Sequence, residues 1–161
     1  MYAGGWRHEK DAEGDVTMDV IIRSARHGDE GRLAELSAQL GYPCETAVVS
    51  TRLERYLGSD ERIVLVAEAD GSVLGWLSLE VVDHFYLDRF VEISGFIVDS
   101  SRRSTGIGTL MIASAEAWVR EHGLSFLRLR TNAIREGAHR FYEREGFERI
   151  KEQFVYCKRI E

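Results

Sequence analysis

The stretch Val91-Glu-Ile-Ser-Gly-Phe-Ile-Val98 is followed directly by Asp99-Ser-Ser-Arg-Arg-Ser-Thr-Gly-Ile-Gly108. The first half is apolar and β-branched, which indicates a buried strand, and the Asp-Ser-Ser segment is a turn signal. Beyond the two glycines, apolar residues recur at helical spacing as far as Trp118. This part of the chain therefore predicts a strand, a glycine-rich turn and a helix, in that order.

The predicted turn has the chemistry of a phosphate site. A helix that starts there leaves its first N–H groups unpaired at the positive end of the helix dipole. A Walker loop would place a lysine in the turn, which has none, and a dinucleotide fingerprint would need glycine at Met111. The pattern Arg103-x-x-Gly106-x-Gly108 is instead similar to the pyrophosphate-binding signature of the GNAT superfamily of N-acetyltransferases, which holds coenzyme A.

A second block, residues 131–147, resembles the other GNAT signature, in which an asparagine follows a strand and a Phe-Tyr pair lies on the next helix. The matching residues are Asn132, Ala138, Phe141, Tyr142, Gly146 and Phe147. The finer pattern looks like the small-molecule branch that includes aminoalkylphosphonate N-acetyltransferases. The resemblance runs from about residue 19 to residue 158, and it identifies the chain as an enzyme of the acetyltransferase class.

Periodicity and turn residues outside these two blocks predict the remaining elements. Asp70-Gly71 supplies the positive φ of a two-residue hairpin turn. The predicted strands are 19–25, 63–69, 72–82, 91–98, 125–130, 147–150 and 154–158, and the predicted helices are 29–40, 45–57, 106–122 and 136–145. The order predicts an α/β (α+β) fold, a mixed and mostly antiparallel sheet with helices on both faces, which is also the element order of GNAT folds. We expect residues 1–17 to be a mobile tail and residues 18–161 to form a single domain.

Composition limits the partners of this chain. Its 161 residues carry a net charge of −6, which argues against nucleic acid as the main ligand because phosphate contacts need a basic face. No apolar run approaches the length of a membrane span. Cys44 and Cys157 have no metal-ligand spacing, and they predict reduced thiols in a cytoplasmic protein without a metal site. The oligomeric state stays open, with a homodimer as one alternative.

The resemblance implies that acetyl-CoA is the cofactor and that it is held by main-chain groups and charge. The implied cofactor-binding residues are Phe96, Ile97, Val98, Arg103, Ser104, Thr105, Gly106, Ile107, Gly108, Thr109, Asn132 and Phe141. Arg102 is predicted to be a solvated surface residue. Asn132 has two interpretations: either it contacts the cofactor or orients the active site, or it caps a turn.

Acetyl transfer to an amine needs a base for the amine and a donor for the leaving thiolate. The resemblance implies that Tyr142 is the donor, with core packing as the alternative. Glu92 is the candidate base, and its alternative is an ion pair with Arg128 or Arg130. Strict alternation would put Glu92, Ser94 and Phe96 on one sheet face. His139 and water are further candidates for the base.

The acceptor is predicted to be the primary amine of a small molecule that attacks the thioester directly. His84 and Arg89 are candidate substrate residues, in a pocket lined by residues 41–52 and 83–89. Two other functions stay open. One is a non-catalytic acyl-CoA-binding module, and the other is a lysine or N-terminal acetyltransferase acting on proteins.

Overall fold

The computed structural model describes residues 19–161. The tail predicted for residues 1–17 lies outside them. The described residues fall into two compact units, which divide after Arg130. The strands are β1 Ile21–Ser24, β2 Arg62–Ala69, β3 Ser72–His84, β4 Leu87–Val98 and β5 Leu127–Leu129; the helices are α1 Glu30–Leu40, α2 Thr46–Leu53, α3 Ile107–Glu121 and α4 Glu136–Arg144.

The first unit is built on a five-stranded sheet in the order β1-β2-β3-β4-β5. Its first four strands pair antiparallel, and β5 joins β4 in parallel over Val91–Leu127 to Ile93–Leu129. The mixed, mostly antiparallel sheet predicted from the sequence is therefore confirmed. Asp70 and Gly71 both have positive φ, 50° and 73°, as the predicted two-residue turn between β2 and β3 requires.

A β-bulge interrupts the pairing of β3 with β4. Ser78 faces Gly95 and the next pair is Leu79 with Ile93, so Ser94 is an extra residue in β4. An extra residue reverses the alternation beyond it. Phe96 consequently pairs with Leu77 on one face, whereas Glu92 shares the other face with Trp76 and Ile97. The strict alternation predicted for Glu92, Ser94 and Phe96 is wrong for this reason.

Helices cover both faces of the sheet. The face that carries Val64, Val66 and Trp76 packs against α1 and α2, in a core that includes Leu33, Leu36, Val49 and Leu53. The opposite face packs against α3. Gly75 marks the contact with α3, because a Cβ there would lie 3.3 Å from the sulfur of Met111.

The second unit, residues 131–161, contains α4 and an aromatic cluster around Tyr142. The Tyr142 ring centroid lies 5.4 Å from that of Phe141 and 5.7 Å from that of Phe147. Strands were predicted at 147–150 and 154–158, and this prediction is wrong for the described structure, which has no regular secondary structure after α4. A strand needs a hydrogen-bonded neighbour, and residues 150–160 instead leave Phe154, Val155 and Tyr156 exposed. Among residues 19–161, no helix is long and apolar enough to cross a membrane.

Candidate active site

The turn before α3 has the geometry of an anion site. Gly106 is the N-cap of α3 with φ of 85°, a left-handed conformation that favours glycine. No side chain caps this helix end, so the N–H groups of its first turn face outward at the positive end of the dipole. Arg103 is exposed and forms no ion pair within the described residues. The predicted order of strand, glycine-rich turn and helix agrees with this geometry.

Asp99 anchors the start of the turn. Its carboxylate accepts hydrogen bonds from the Ser101 N–H at 2.8 Å and the Ser101 hydroxyl at 2.7 Å, and it forms an ion pair with Arg32 of α1. The hydrogen bonds from Ser101, reinforced by Arg32, hold the pKa of Asp99 far below its usual range. A second link runs from α1, where Gln39 accepts a hydrogen bond from the Ser100 N–H at 2.9 Å. The turn is therefore fastened to α1 by a network that the sequence pattern did not indicate.

Beyond the bulge, β4 extends past the end of its parallel neighbour β5. The β4–β5 ladder ends at Ile93–Leu129, whereas β4 continues to Val98. The two strands therefore share only three pairs, and the segment that contains Phe96, Ile97 and Val98 extends past the end of the ladder. The same segment leads into the turn at Asp99.

Glu92 lies on the α1–α2 face and is ion-paired with Arg130. The Arg130 Nε donates to Glu92 Oε1 at 2.9 Å, and the other Arg130 contact goes to the same oxygen. The Glu92 side chain is 15% exposed and that of Arg130 is 74% exposed. Arg128, the other partner considered for Glu92, instead places its guanidinium carbon 4.4 Å from the Phe90 ring centroid.

Glu80 of β3 pairs directly across from Glu92. Its carboxylate accepts a hydrogen bond of 2.6 Å from the Tyr56 hydroxyl, and Arg62 lies 3.7 Å away. Burial, followed by the hydrogen bond to Glu80 and then by the Glu80 charge, raises the pKa of Tyr56 to about 12. Two carboxylates thus lie side by side on one face, each with its own hydrogen-bond donor.

Tyr142 and Asn132 both lie in the second unit. Tyr142 is half-buried, and burial raises the pKa of its hydroxyl, with the charge of Arg135 acting weakly against it. The Asn132 side-chain Oδ1 accepts a hydrogen bond from the Ile134 N–H at 3.1 Å, and the main-chain carbonyl oxygen of Asn132 lies 3.0 Å from Nε2 of His139. Asn132 therefore caps a turn before α4, which was one of its two predicted roles, and His139 is engaged with that turn.

His84 and Arg89 flank the tip of the β3–β4 hairpin. The His84 ring stacks on Tyr86 with centroids 5.5 Å apart. Arg89 donates to Glu61 at 2.7 Å, and Asp83 lies 3.8 Å away. Two carboxylates therefore balance the Arg89 charge at this tip.

A cavity of about 160 Å³ lies between α1, α2 and the sheet. Its lining comprises Leu33, Ser37, Cys44, Val49, Arg52, Leu53, Tyr56, Val64, Trp76 and Ser78. The acceptor pocket was predicted to be lined by residues 41–52 and 83–89. Cys44, Val49 and Arg52 from the first segment line this cavity, whereas no residue from the second segment does.

Comparison with known proteins decides the family. The model of the acetyltransferase (GNAT) family matches residues 32–147, which is more than half of the chain. The chain belongs to the GNAT acetyltransferase family. The resemblance inferred from the two sequence blocks is thereby confirmed, as are the fold and the class of enzyme.

Relatives of this GNAT protein include the aminoalkylphosphonate N-acetyltransferase of Salmonella typhimurium, 34% identical over 91 residues. That match covers 56% of this chain and 59% of the relative, so it spans less than two thirds of that protein. An uncharacterized N-acetyltransferase of Chlorobaculum tepidum is 26% identical over 136 residues, 84% of this chain and 80% of the relative.

Solved structures share the GNAT fold. The aminoglycoside N-acetyltransferase AAC(6')-Iy in complex with CoA superposes with a TM-score of 0.79 at 21% identity, covering 89% of this chain and 97% of that one. The same enzyme with a CoA bisubstrate analogue gives a TM-score of 0.77 at 21% identity, with coverages of 88% and 99%.

Sequence patterns missed several polar residues of the GNAT domain. Glu80, Tyr56 and Trp76 come together only through the register of β3 with β4 and the packing of α2. The Asp70-Gly71 turn made the register of the β2–β3 hairpin predictable from sequence. A similar two-residue turn signal in the β3–β4 hairpin would have predicted that Glu80 pairs with Glu92. The hairpin tip carries Phe85 and Tyr86 instead of such a signal.

Proposed function

We propose that this protein transfers an acetyl group from acetyl-CoA to the primary amine of a small molecule, by direct attack of the amine on the thioester. The observation that carries the proposal is the turn before α3, where Gly106 opens an uncapped helix end beside the exposed Arg103. The names of its relatives support acetyl transfer, and the CoA complexes of AAC(6')-Iy support the cofactor.

Residues of the turn fit the pyrophosphate of CoA. The outward N–H groups of the first helical turn provide donors, and Arg103 adds a positive charge. A Cβ on Gly106 would meet no atom within 4 Å, so the space beside the turn is open to a ligand. Ser104, with φ of 62°, and Thr105 complete the backbone path into the helix. Acetyl-CoA supplies the acetyl group as an activated thioester.

Glu92 has the role of the base that receives the amine proton. Both hydrogen bonds from Arg130 go to Oε1, which leaves Oε2 to accept a proton. A free alkylamine is mostly protonated at neutral pH, because its pKa lies near 10, so removal of that proton must precede attack. Arg130 orients the carboxylate, and Glu80 lies across the strand pair with its own donor, Tyr56.

Tyr142 has the role of the donor to the leaving thiolate. A tyrosine hydroxyl is protonated at neutral pH even at its ordinary pKa, and burial raises the pKa of Tyr142 further, so the hydroxyl can donate a hydrogen bond. A phenol is a weaker acid than a thiol, so the hydroxyl stabilises the thiolate by hydrogen bonding rather than by full proton transfer.

Release of free CoA thiol provides the direct test. We expect thiol release from acetyl-CoA only when a small primary amine is added, and the acetylated amine should appear in equal amount by mass spectrometry. Lysine-containing peptides serve as the comparison. Faster acetylation of peptides would contradict the small-molecule acceptor, and CoA binding without any amine-dependent thiol release would favour a binding module.

A further inference from the structure

The cavity between α1, α2 and the sheet is lined mainly by apolar side chains. Trp76 Nε1 is buried, so the part of the indole that meets the cavity is carbon. The apolar lining residues come from both helices, the connection between them, and strands β2 and β3: Leu33, Cys44, Val49, Leu53, Val64 and Trp76. A ligand in this cavity therefore contacts mostly carbon.

Each hydroxyl group of the lining already has a hydrogen-bond partner in the protein. The Ser37 hydroxyl donates to the Leu33 carbonyl at 2.7 Å, and the Ser78 hydroxyl bonds to that of Ser94 at 2.8 Å. The third hydroxyl, that of Tyr56, also donates within the protein. A charged or strongly polar ligand group would lose its hydration here without gaining an equivalent set of hydrogen bonds, which is unfavourable.

Arg52 is the one charged residue of the lining and is exposed. Its guanidinium is therefore solvated at the rim, where an ion pair contributes little to binding. This charge does not offset the cost of placing an anion against the apolar lining. For a second ammonium group on the ligand, the Arg52 charge also has the wrong sign.

The volume of the cavity limits the size of the group that it can hold. The cavity measures about 160 Å³. An apolar cavity of about 150 Å³ lined by aliphatic and aromatic side chains binds benzene. One six-membered ring, or a branched chain of similar volume, therefore fills this space.

The cavity lies next to the paired carboxylates. Tyr56 lines the cavity, and its hydroxyl donates at 2.6 Å to Glu80, which pairs across from Glu92. Ser78, also in the lining, and Glu80 are two residues apart on one face of β3, which corresponds to roughly 7 Å. A hydrogen bond from the amine to a carboxylate takes about 2.8 Å of this span, which leaves room for about two carbon atoms between nitrogen and ring.

We propose that this cavity binds an apolar group of the acceptor, so that the substrate is a primary amine with one six-membered ring, or a branched chain of similar volume, on a linker of about two carbon atoms and with no second charged group. The inference rests on the proposed acetyl transfer with Glu92 as the base. It assigns the non-reacting part of the acceptor to the cavity, in place of the hairpin tip at His84 and Arg89.

Cys44 reports on occupancy of the cavity without any turnover. It belongs to the lining, whereas Cys157 is exposed and lies in the second unit. We expect 2-phenylethylamine, in the absence of acetyl-CoA, to slow alkylation of Cys44 by iodoacetamide at least about threefold, the factor that mass action gives at twice the Kd. The labelling rate of Cys157 should not change.

Three other amines at the same concentration are the controls for this measurement. Ethylamine lacks the ring, 1,4-diaminobutane carries a second cation, and 2-aminoethylphosphonate carries an anion. None of them should protect Cys44. Equal labelling with and without 2-phenylethylamine, or stronger protection by the phosphonate, would overturn the proposal.

Ser37→Leu fills the cavity from α1, with Ala38→Leu as the matched control. Ala38 is exposed on the same helix and does not belong to the lining. Leucine favours a helix, so Ser37→Leu loses only the bond from its hydroxyl to the Leu33 carbonyl. A change of one methylene in a hydrophobic pocket alters specificity about 10- to 200-fold. We expect Ser37→Leu to raise the KM for 2-phenylethylamine at least about tenfold and that for ethylamine less than about twofold, and Ala38→Leu to change neither.

The outcomes separate this inference from the proposed function. Equal KM changes for the two amines in Ser37→Leu would refute the apolar site while acetyl transfer stands. Protection of Cys44 by 2-phenylethylamine without acetylation of any amine would support the site and refute the proposed reaction. Because the alkylation test uses the unaltered protein, it decides between these results even if Ser37→Leu fails to fold.

Discussion

Two glycines at opposite ends of α3 allow the cofactor turn to be tested against a matched control. Gly106 precedes the helix with φ of 85°, and Gly123 follows it with φ of 65°. A Cβ at either position would meet no atom within 4 Å, so alanine adds conformational strain without a clash. A left-handed conformation costs an L-residue about 1–2 kcal/mol, and a more restricted unfolded chain offsets about 0.4–1 kcal/mol of this. Each alanine variant should therefore lose about 1 kcal/mol of stability, or about 2–4 °C in Tm.

Only Gly106→Ala should also weaken binding of CoA. Relief of the strain moves φ at position 106 and turns the first N–H groups of α3 away from the ligand. Loss of one hydrogen bond to a charged group is worth about 1.5–3 kcal/mol, or about 10- to 150-fold in Kd. Gly123 lies at the other end of the helix, so its variant should bind CoA as the wild type does.

Calorimetric titration with CoA and thermal melting of the free proteins provide the two measurements. The predicted result is an equal decrease in Tm for both variants, with a weaker Kd for Gly106→Ala alone. If Gly106→Ala binds CoA with unchanged affinity while its Tm falls, the turn is a structural cap and the proposed phosphate site is wrong. Equal loss of affinity in both variants would attribute the effect to α3 as a whole.

Three further substitutions test the remaining assignments. Tyr142→Phe keeps the ring but removes the hydroxyl, so kcat should fall roughly ten- to a thousandfold with CoA affinity unchanged, and an unaltered kcat would make Tyr142 a packing residue. Glu92→Gln should lower the rate mainly below the pKa of the amine, so a rate–pH profile with a constant wild-type-to-variant ratio would exclude Glu92 as the base. Asp99→Asn should lower Tm at pH 7 by about 2–12 °C, from about 1–3 kcal/mol of lost hydrogen bonds. The pKa of Asp99 is depressed in the folded protein, so ionised Asp99 stabilises the fold fully above the unfolded pKa near 3.9, and this stabilisation declines as pH falls below that value. A Tm difference between wild type and variant that persists undiminished to pH 2 would contradict this role of Asp99.

Local sequence signals predicted most elements of the first unit. Asp70-Gly71 fixed the β2–β3 hairpin, and the glycines around α3 marked both of its ends, because positive φ is a property of single residues. Periodicity predicted helices at 106–122 and 29–40, each within one residue of the observed bounds, 107–121 and 30–40. These features depend on residues close together in the chain, where pattern and conformation are directly linked.

Features that depend on pairing between distant residues could not be predicted in this way. The extra residue at Ser94 is visible only in the register of β3 with β4, and it overturned the predicted face of Phe96. The cavity needs α2 packed over Trp76, and the anchoring of Asp99 by Arg32 joins residues 67 positions apart. The sequence around residues 147–158 has β-forming residues, but that composition does not supply the neighbouring strand that a ladder requires.

The bulge at Ser94 divides β4 into two halves that can change independently. Residues before Ser94 contribute Glu92 to the face that carries the proposed acceptor chemistry, and residues after it lead into the turn proposed to hold CoA. A substitution before the bulge leaves the register of the second half intact, because Ser78 still pairs with Gly95. Directed evolution for a new amine acceptor can therefore be confined to residues 87–93 of β4 and the lining of the cavity. Deletion of Ser94 would instead turn every side chain in one half of β4 to the opposite face of the sheet. The number of residues in this segment is therefore more constrained than their identity.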